Sequence, residues 1–205
     1  MRAAEVLAQD LHIGALNIGV NIDHAYDHVT LRNLLNQVYW DFVQVENSSY
    51  PQSIDTWVLS HGTALVVNRV DGLEVHDFSV FSRFIGILLT DSPDASQNPR
   101  CGSGTGSDID LDSMVNGIIV TASNTAGYEF TNVIIGGTQA AVQLNAGGSI
   151  APDVLVNGGS VGGSTFALGP FPTPGAGQLK AINIIGYDLP EAQTPRRSLP
   201  SKETR

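Results

Sequence analysis

Apolar residues come in short bursts along this chain, each followed by polar turn residues. Gly117-Ile118-Ile119-Val120-Thr121-Ala122-Ser123 repeats the pattern of Gly86-Ile87-Leu88-Leu89-Thr90-Asp91-Ser92. An alternating segment follows each burst: Ile109-Asp110-Leu111-Asp112 after the earlier one, Tyr128-Glu129-Phe130-Thr131-Asn132-Val133 after the later. Recurrence at periods of this size predicts a repeat architecture. First strands are expected at Val20–Ile22, Leu65–Val67, Ile87–Leu89, Ile118–Val120, Val142–Leu144 and Phe166–Leu168. Second strands are expected at Val29–Leu31, Leu73–Val75, Ile109–Leu111, Tyr128–Phe130, Val154–Val156 and Leu179–Ala181. Their flanking residues are apolar or small and most central ones are polar, the alternation of a strand with one buried face.

Two positions past each second strand stand Asn33, Asp77, Ser113, Asn132, Gly158 and Asn183, all suited to a tight turn. Stacking these units predicts an all-β, right-handed parallel β-helix, a solenoid of about six coils. Its expected core includes Ile22, Leu31, Val67, Val75, Leu89, Leu111, Val120, Phe130, Leu144 and Val156. Residues 3–16 read as a short amphipathic capping helix, and no other segment has helical periodicity. Two insertions, Asn47–His61 and Ser92–Ser107, break the period and read as loops on one face. The repeat domain is expected over 1–189, with 190–205 a polar, Pro-rich disordered tail.

Composition narrows the function. With 22 Gly, 2 Met and 42 % apolar residues, the 205-residue chain suits many short strands and tight turns in one domain. Net charge is −10, and Arg196, Arg197, Lys202 and Arg205 lie in the tail, so the body is more acidic still. That balance excludes a nucleic-acid backbone as partner. No apolar run is long enough to cross a membrane. Cys101 is the single cysteine, so there is no internal disulfide.

On the expected register, Glu74, Asp110 and Glu129 form an outward carboxylate row on successive rungs, with His76 and Asp112 beside it. Close carboxylates repel, so one holds a proton or a cation sits between them. Either outcome suits sugar chemistry: paired acids for glycoside hydrolysis, or calcium acidifying a uronate for elimination. A solvated charged face is the plainer alternative for the same row. Arg69 is expected between Asp23 and Asp91, as a substrate clamp or as a structural ion pair. Tyr50 and Trp57, in the first insertion, either stack on a sugar ring or pack the loop.

The repeat resembles the right-handed parallel β-helix of the pectate-lyase-like superfamily, which includes polygalacturonases, pectate lyases and phage tailspikes. Asn21-Ile22-Asp23-His24 looks like the Trp-Ile-Asp-His motif of pectate lyases, with Asn for Trp. His61-Gly62 matches the His-Gly element of polygalacturonases and marks His61 as substrate-binding. Other signature elements of both families are missing, so no catalytic residue is carried over. The resemblance implies a polysaccharide partner and an extracellular or cell-surface protein, a hydrolase or lyase working in a groove along the solenoid. A non-catalytic glycan-binding module and a structural piece of a larger enzyme are the rival readings. No export signal is visible, since Glu5, Gln9, Asp10 and His12 interrupt any apolar segment. Open solenoid ends need covering, so homo-oligomerisation or further N-terminal coils are expected.

Overall fold

The computed structural model describes residues 5–38, 51–94, 101–122, 127–144, 154–162 and 184–185. It holds β1 (Glu5–Ile13), β2 (Ile18–Ile22), β3 (Ala25–Gln37), α1 (Gln52–His61), β4 (Thr63–Val67) and β5 (Val70–Phe81). β6 (Ile85–Leu89), β7 (Gly102–Val120), β8 (Gly127–Leu144), β9 (Val154–Gly162) and β10 (Ile184–Ile185) follow. Every strand pairing is parallel, and the strands wind into a solenoid-like, parallel β-helix-like sheet.

Three ladders make up this sheet. The first aligns Val20, Leu65, Ile87, Ile118 and Val142. This is the register expected for the first strands. The second runs Leu7, Thr30, Glu74, Thr105, Glu129 and Leu155. The third runs Leu34, Phe78, Ile109, Val133 and Gly159. Long strands such as β3 and β5 serve both the second and the third, bending between them at one residue.

That bend explains a polar column. Asp10, Asn33, Asp77, Asp108 and Asn132 occupy successive rungs with φ between 50° and 56°. Asn and Asp tolerate this left-handed conformation better than other L residues, which is why the turn selects them. Asn33 Nδ2 donates to Asp10 Oδ1 (2.8 Å), and Asn132 Nδ2 to Asp108 Oδ1 (2.6 Å). Asn33, Asp77 and Asn132 are thus where the repeat pattern puts them. Ser113, also at positive φ, instead turns the chain from the third ladder into the first, level with Ser82.

The difference at Ser113 comes from one misplaced strand. Ile109–Leu111 lies in the third ladder, and Gly104-Thr105-Gly106 fills the second-ladder rung between Leu73–Val75 and Tyr128–Phe130. Gly104 and Gly106 are in a strand because large neighbours fill their inward space. A Cβ at Gly104 would stand 2.7 Å from Leu73 Cβ and 2.9 Å from Tyr128 Cε1. So Gly102–Ser107 is strand, not loop. In the next turn Ile184 lies opposite Val156, a place the repeat alignment assigned to Ala181.

Two other expectations fail. The N-terminal segment is strand β1 rather than a helix, because pairing with β3 outweighs its weak helical pattern. Its outer position leaves Val6, Leu7 and Leu11 exposed. The first insertion holds a helix, α1, rather than loop alone. Its anchor is Val58, fully buried, whose carbonyl accepts from Gly62 N and Phe84 N.

The core sits between the ladders. Ile22, Leu31, Val67, Val75, Leu89, Leu111, Val120 and Phe130 are buried as expected. Leu144 and Val156 fall outside the residues whose side chains are described. Arg83 is also fully buried: Nη1 donates to Leu16 O (3.2 Å) and Nη2 to Asn36 Oδ1, while Asn36 Nδ2 donates to Ala64 O (3.2 Å). This network ties successive first-ladder turns together without leaving those carbonyls unpaired.

Candidate functional site

The outward face of the second ladder carries two polar columns. One is Glu74, Thr105, Glu129; the other is Gln9, Arg32, His76, Ser107, Thr131. Thr30, on the rung before Glu74, is buried. Alternation along each strand sends Val29, Leu31, Leu73 and Val75 inward and the residues of the two columns outward. Main-chain pairing fixes neighbouring rungs about 4.8 Å apart.

Four side chains converge here. Ser107 Oγ lies 2.9 Å from His76 Nδ1. His76 Nε2 lies 3.8 Å from Glu74 Oε2, and His28 Nε2 lies 3.4 Å from Glu74 Oε1. Glu74 and His76 share a face because they are two apart on one strand. His28 reaches Glu74 over Gly72, which has no side chain to block it; a Cβ there would stand 3.2 Å from His28 Nδ1. All three ionisable groups are partly open to solvent, with side-chain exposures of 42 % for His28, 41 % for Glu74 and 31 % for His76.

The expected carboxylate row is split. Glu74 and Glu129 share a column, but Thr105 stands between them. Their backbones are therefore two rungs, or about 9.6 Å, apart. Asp110 lies on the third ladder, opposite Ser79 and Ile134, with Asp112 two residues on. Partial burial, and then the charge of Asp112, raise the Asp110 carboxyl above its ordinary range.

Arg69 touches Asp23 through its backbone N–H (3.3 Å to Oδ1). Its guanidinium holds Asp71 (Nη2 to Oδ1, 2.5 Å) and lies 5.8 Å from the centre of the Tyr26 ring. Asp23 Oδ1 accepts from the backbone N–H of His24 (2.9 Å) and of Arg69 (3.3 Å), and Oδ2 from Ser92 Oγ (3.1 Å). The Asn-Ile-Asp-His stretch therefore staples consecutive turns at the bend between the first and second ladders. Beneath it, Tyr128 OH donates to Cys101 O (2.8 Å). Burial pushes the Cys101 thiol up to about 11 and raises the Tyr128 hydroxyl as well.

Trp57 and His61 stack on each other along α1, ring centres 4.8 Å apart at 15°. With Leu16, Ser53 and Ile54, Trp57 lines a shallow concavity of about 300 Å³. It lies beside α1 and the turn leading into β2, not on the second-ladder face. Tyr50 lies outside the described residues.

His28 and Ser107 are the members that sequence reasoning missed. Strand parity already points His28 outward, one residue before Val29. Ser107 closes a Gly/Ser run that reads as loop until the rings of Tyr128 and Phe130 are placed beside it. Among the described residues no three His, Cys, Asp or Glu side chains are grouped so as to hold a metal ion. None of the described helices is long and apolar enough to cross a membrane. Comparisons with protein-family models, with curated proteins and with solved structures find no match.

Proposed function

We propose that this is a carbohydrate-active protein of the right-handed parallel β-helix class, related in architecture to the pectate-lyase-like superfamily. It holds a polysaccharide along the outward face of the second ladder and cleaves it there, as hydrolase or lyase, outside the cell or on its surface. The observation that carries the reading is the polar column Glu74–Thr105–Glu129 beside Arg32–His76–Ser107–Thr131. A polysaccharide repeats its hydroxyls along one direction, and stacked rungs repeat their donors and acceptors along one direction too.

Glu74 and Glu129 are the carboxylates on this face. A separation of about 9.6 Å between their backbones lies near the roughly 6.5–9.5 Å that carboxyl groups span in inverting glycoside hydrolysis. One protonates the leaving oxygen and the other activates water. The chain's net charge of −10 favours a neutral glycan over a polyanionic one.

A non-catalytic glycan-binding module is the second reading. It is favoured by the engagement of Glu74 with two imidazoles, which ties up the carboxylate that hydrolysis would use. A panel of polysaccharides separates the two, with reducing ends and unsaturated uronate absorbance followed in time. Cleavage that falls about 100-fold or more in Glu74→Gln supports catalysis on this face. Retention of a polysaccharide without either product supports the module. Retention of none of them sinks the glycan reading.

A further inference from the structure

We propose that Ser107, His76 and Glu74 form an acyl-transfer relay, and that its substrate is a carboxylic ester carried on the glycan. The identity of the carrier rests on the glycan reading above; the chemistry of the relay does not.

The relay has the order a serine hydrolase needs: nucleophile, base, and a carboxylate beside the base, which one small side-chain rotation brings into hydrogen-bond reach. Ser107 Oγ is 2.9 Å from His76 Nδ1, and the other ring nitrogen faces Glu74 Oε2 at 3.8 Å. In the tautomer the relay uses, Nδ1 accepts from the hydroxyl and Nε2 carries the proton on the side that faces the carboxylate. His28, 3.4 Å from the second Glu74 oxygen, holds that carboxylate from the far side. The backbones are clamped by parallel ladders, with His76 directly opposite Ser107 on the neighbouring rung. The groups therefore sit on rigid strands rather than on a loop.

In the first step Ser107 Oγ attacks the acyl carbonyl carbon and its proton passes to His76 Nδ1. The C–O bond to the sugar breaks, and the Nδ1 proton goes to the departing sugar oxygen. In the second step water attacks the acyl-serine, giving a proton to Nδ1. Collapse of that adduct releases the carboxylic acid and returns the proton to Ser107. No electrons are gained or lost, and water is the one co-reactant. Thr105, exposed on the same face two residues before Ser107, offers a hydroxyl to the developing oxyanion. Thr131, on the following rung, already donates to Gly106 O (3.3 Å). A shallow, solvent-open face suits an ester, whose alkoxide leaving group asks less of the site than an amine would.

The test uses the full chain with p-nitrophenyl acetate and, separately, a fluorophosphonate probe located by peptide mass spectrometry. The expected result is turnover that falls about 100-fold in Ser107→Ala and in His76→Asn, with melting temperatures unchanged and the label on Ser107. Ser103→Ala, which removes a hydroxyl bonded to Asp71 O, keeps full turnover. Ester hydrolysis surviving in Ser107→Ala, or a label on another residue, overturns the relay. Gel retardation by neutral polysaccharides is measured in parallel. Retardation without ester cleavage overturns the relay alone; ester cleavage without retardation supports the relay and overturns the glycan carrier.

Discussion

Gly106 lies against the Phe130 ring: a Cβ added there would stand 2.7 Å from Phe130 Cδ1 and 2.8 Å from Ile109 Cδ1. Both neighbours are buried, so neither can swing out to make room. Gly106→Ala is expected to cost about 1–3 kcal/mol, a fall of several degrees in melting temperature. Phe130→Leu in the same chain should recover part of that loss, because the two positions share one volume. Thermal denaturation of the single and double variants checks this.

The same contact shows where the fold was legible and where it was not. Apolar bursts such as Leu65–Val67 and Ile87–Leu89 signal strands by themselves, and their register followed from aligning them. Gly104-Thr105-Gly106 carries no such signal. Its strand is set by Leu73 on one side and by Tyr128 and Phe130 on the other, partners distant in sequence. Missing it shifted Asp110 onto the wrong ladder and hid Ser107. The helix α1 was hidden because only Val58 on it is buried, too little for an amphipathic stripe. Glu74, His76 and Glu129 were legible because Leu73–Val75 and Tyr128–Phe130 alternate cleanly.

Leu111 is fully buried although it belongs to the third ladder, since the inward parity is the same. Leu111→Ala should cost about 2–5 kcal/mol, and Leu111→Asp should prevent folding by burying an unpaired charge. Chemical denaturation and circular dichroism measure the two outcomes.

Asp110 gives a prediction with a sign. Its carboxyl is raised above 3.8 by partial burial and by Asp112. A raised carboxylate favours the folded state only while protonated, and that contribution is lost as pH rises through its folded value. Asp110→Asn should therefore raise the melting temperature slightly at neutral pH and leave it unchanged near pH 3. Glycan cleavage by this variant should stay within about twofold of wild type, because its side chain points from a different face.

Cys101 and Tyr128 set an alkaline limit. The Cys101 thiol rises from 9.0 to about 11, and the Tyr128 hydroxyl moves in the same direction from 10.0. Unfolded chains lose these protons first, so stability is fully present below pH 9 and declines as pH rises towards 11. For Cys101 alone the loss is about 2–3 kcal/mol. Urea unfolding at pH 8 and pH 11 measures the loss. At pH 8 a thiol reagent should react with Cys101 only as fast as the protein opens.

The central claim is that glycan lies along the outward face of the second ladder. The most direct measurement is chemical-shift mapping of isotopically labelled protein, titrated with an oligosaccharide of whichever polysaccharide it retains. Shifts should concentrate at Glu74, His76, Thr105, Ser107 and Glu129, tracing the columns across β5, β7 and β8. Shifts confined to Trp57 and His61 around α1, or to Asp110 and Asp112 on the third ladder, would contradict it.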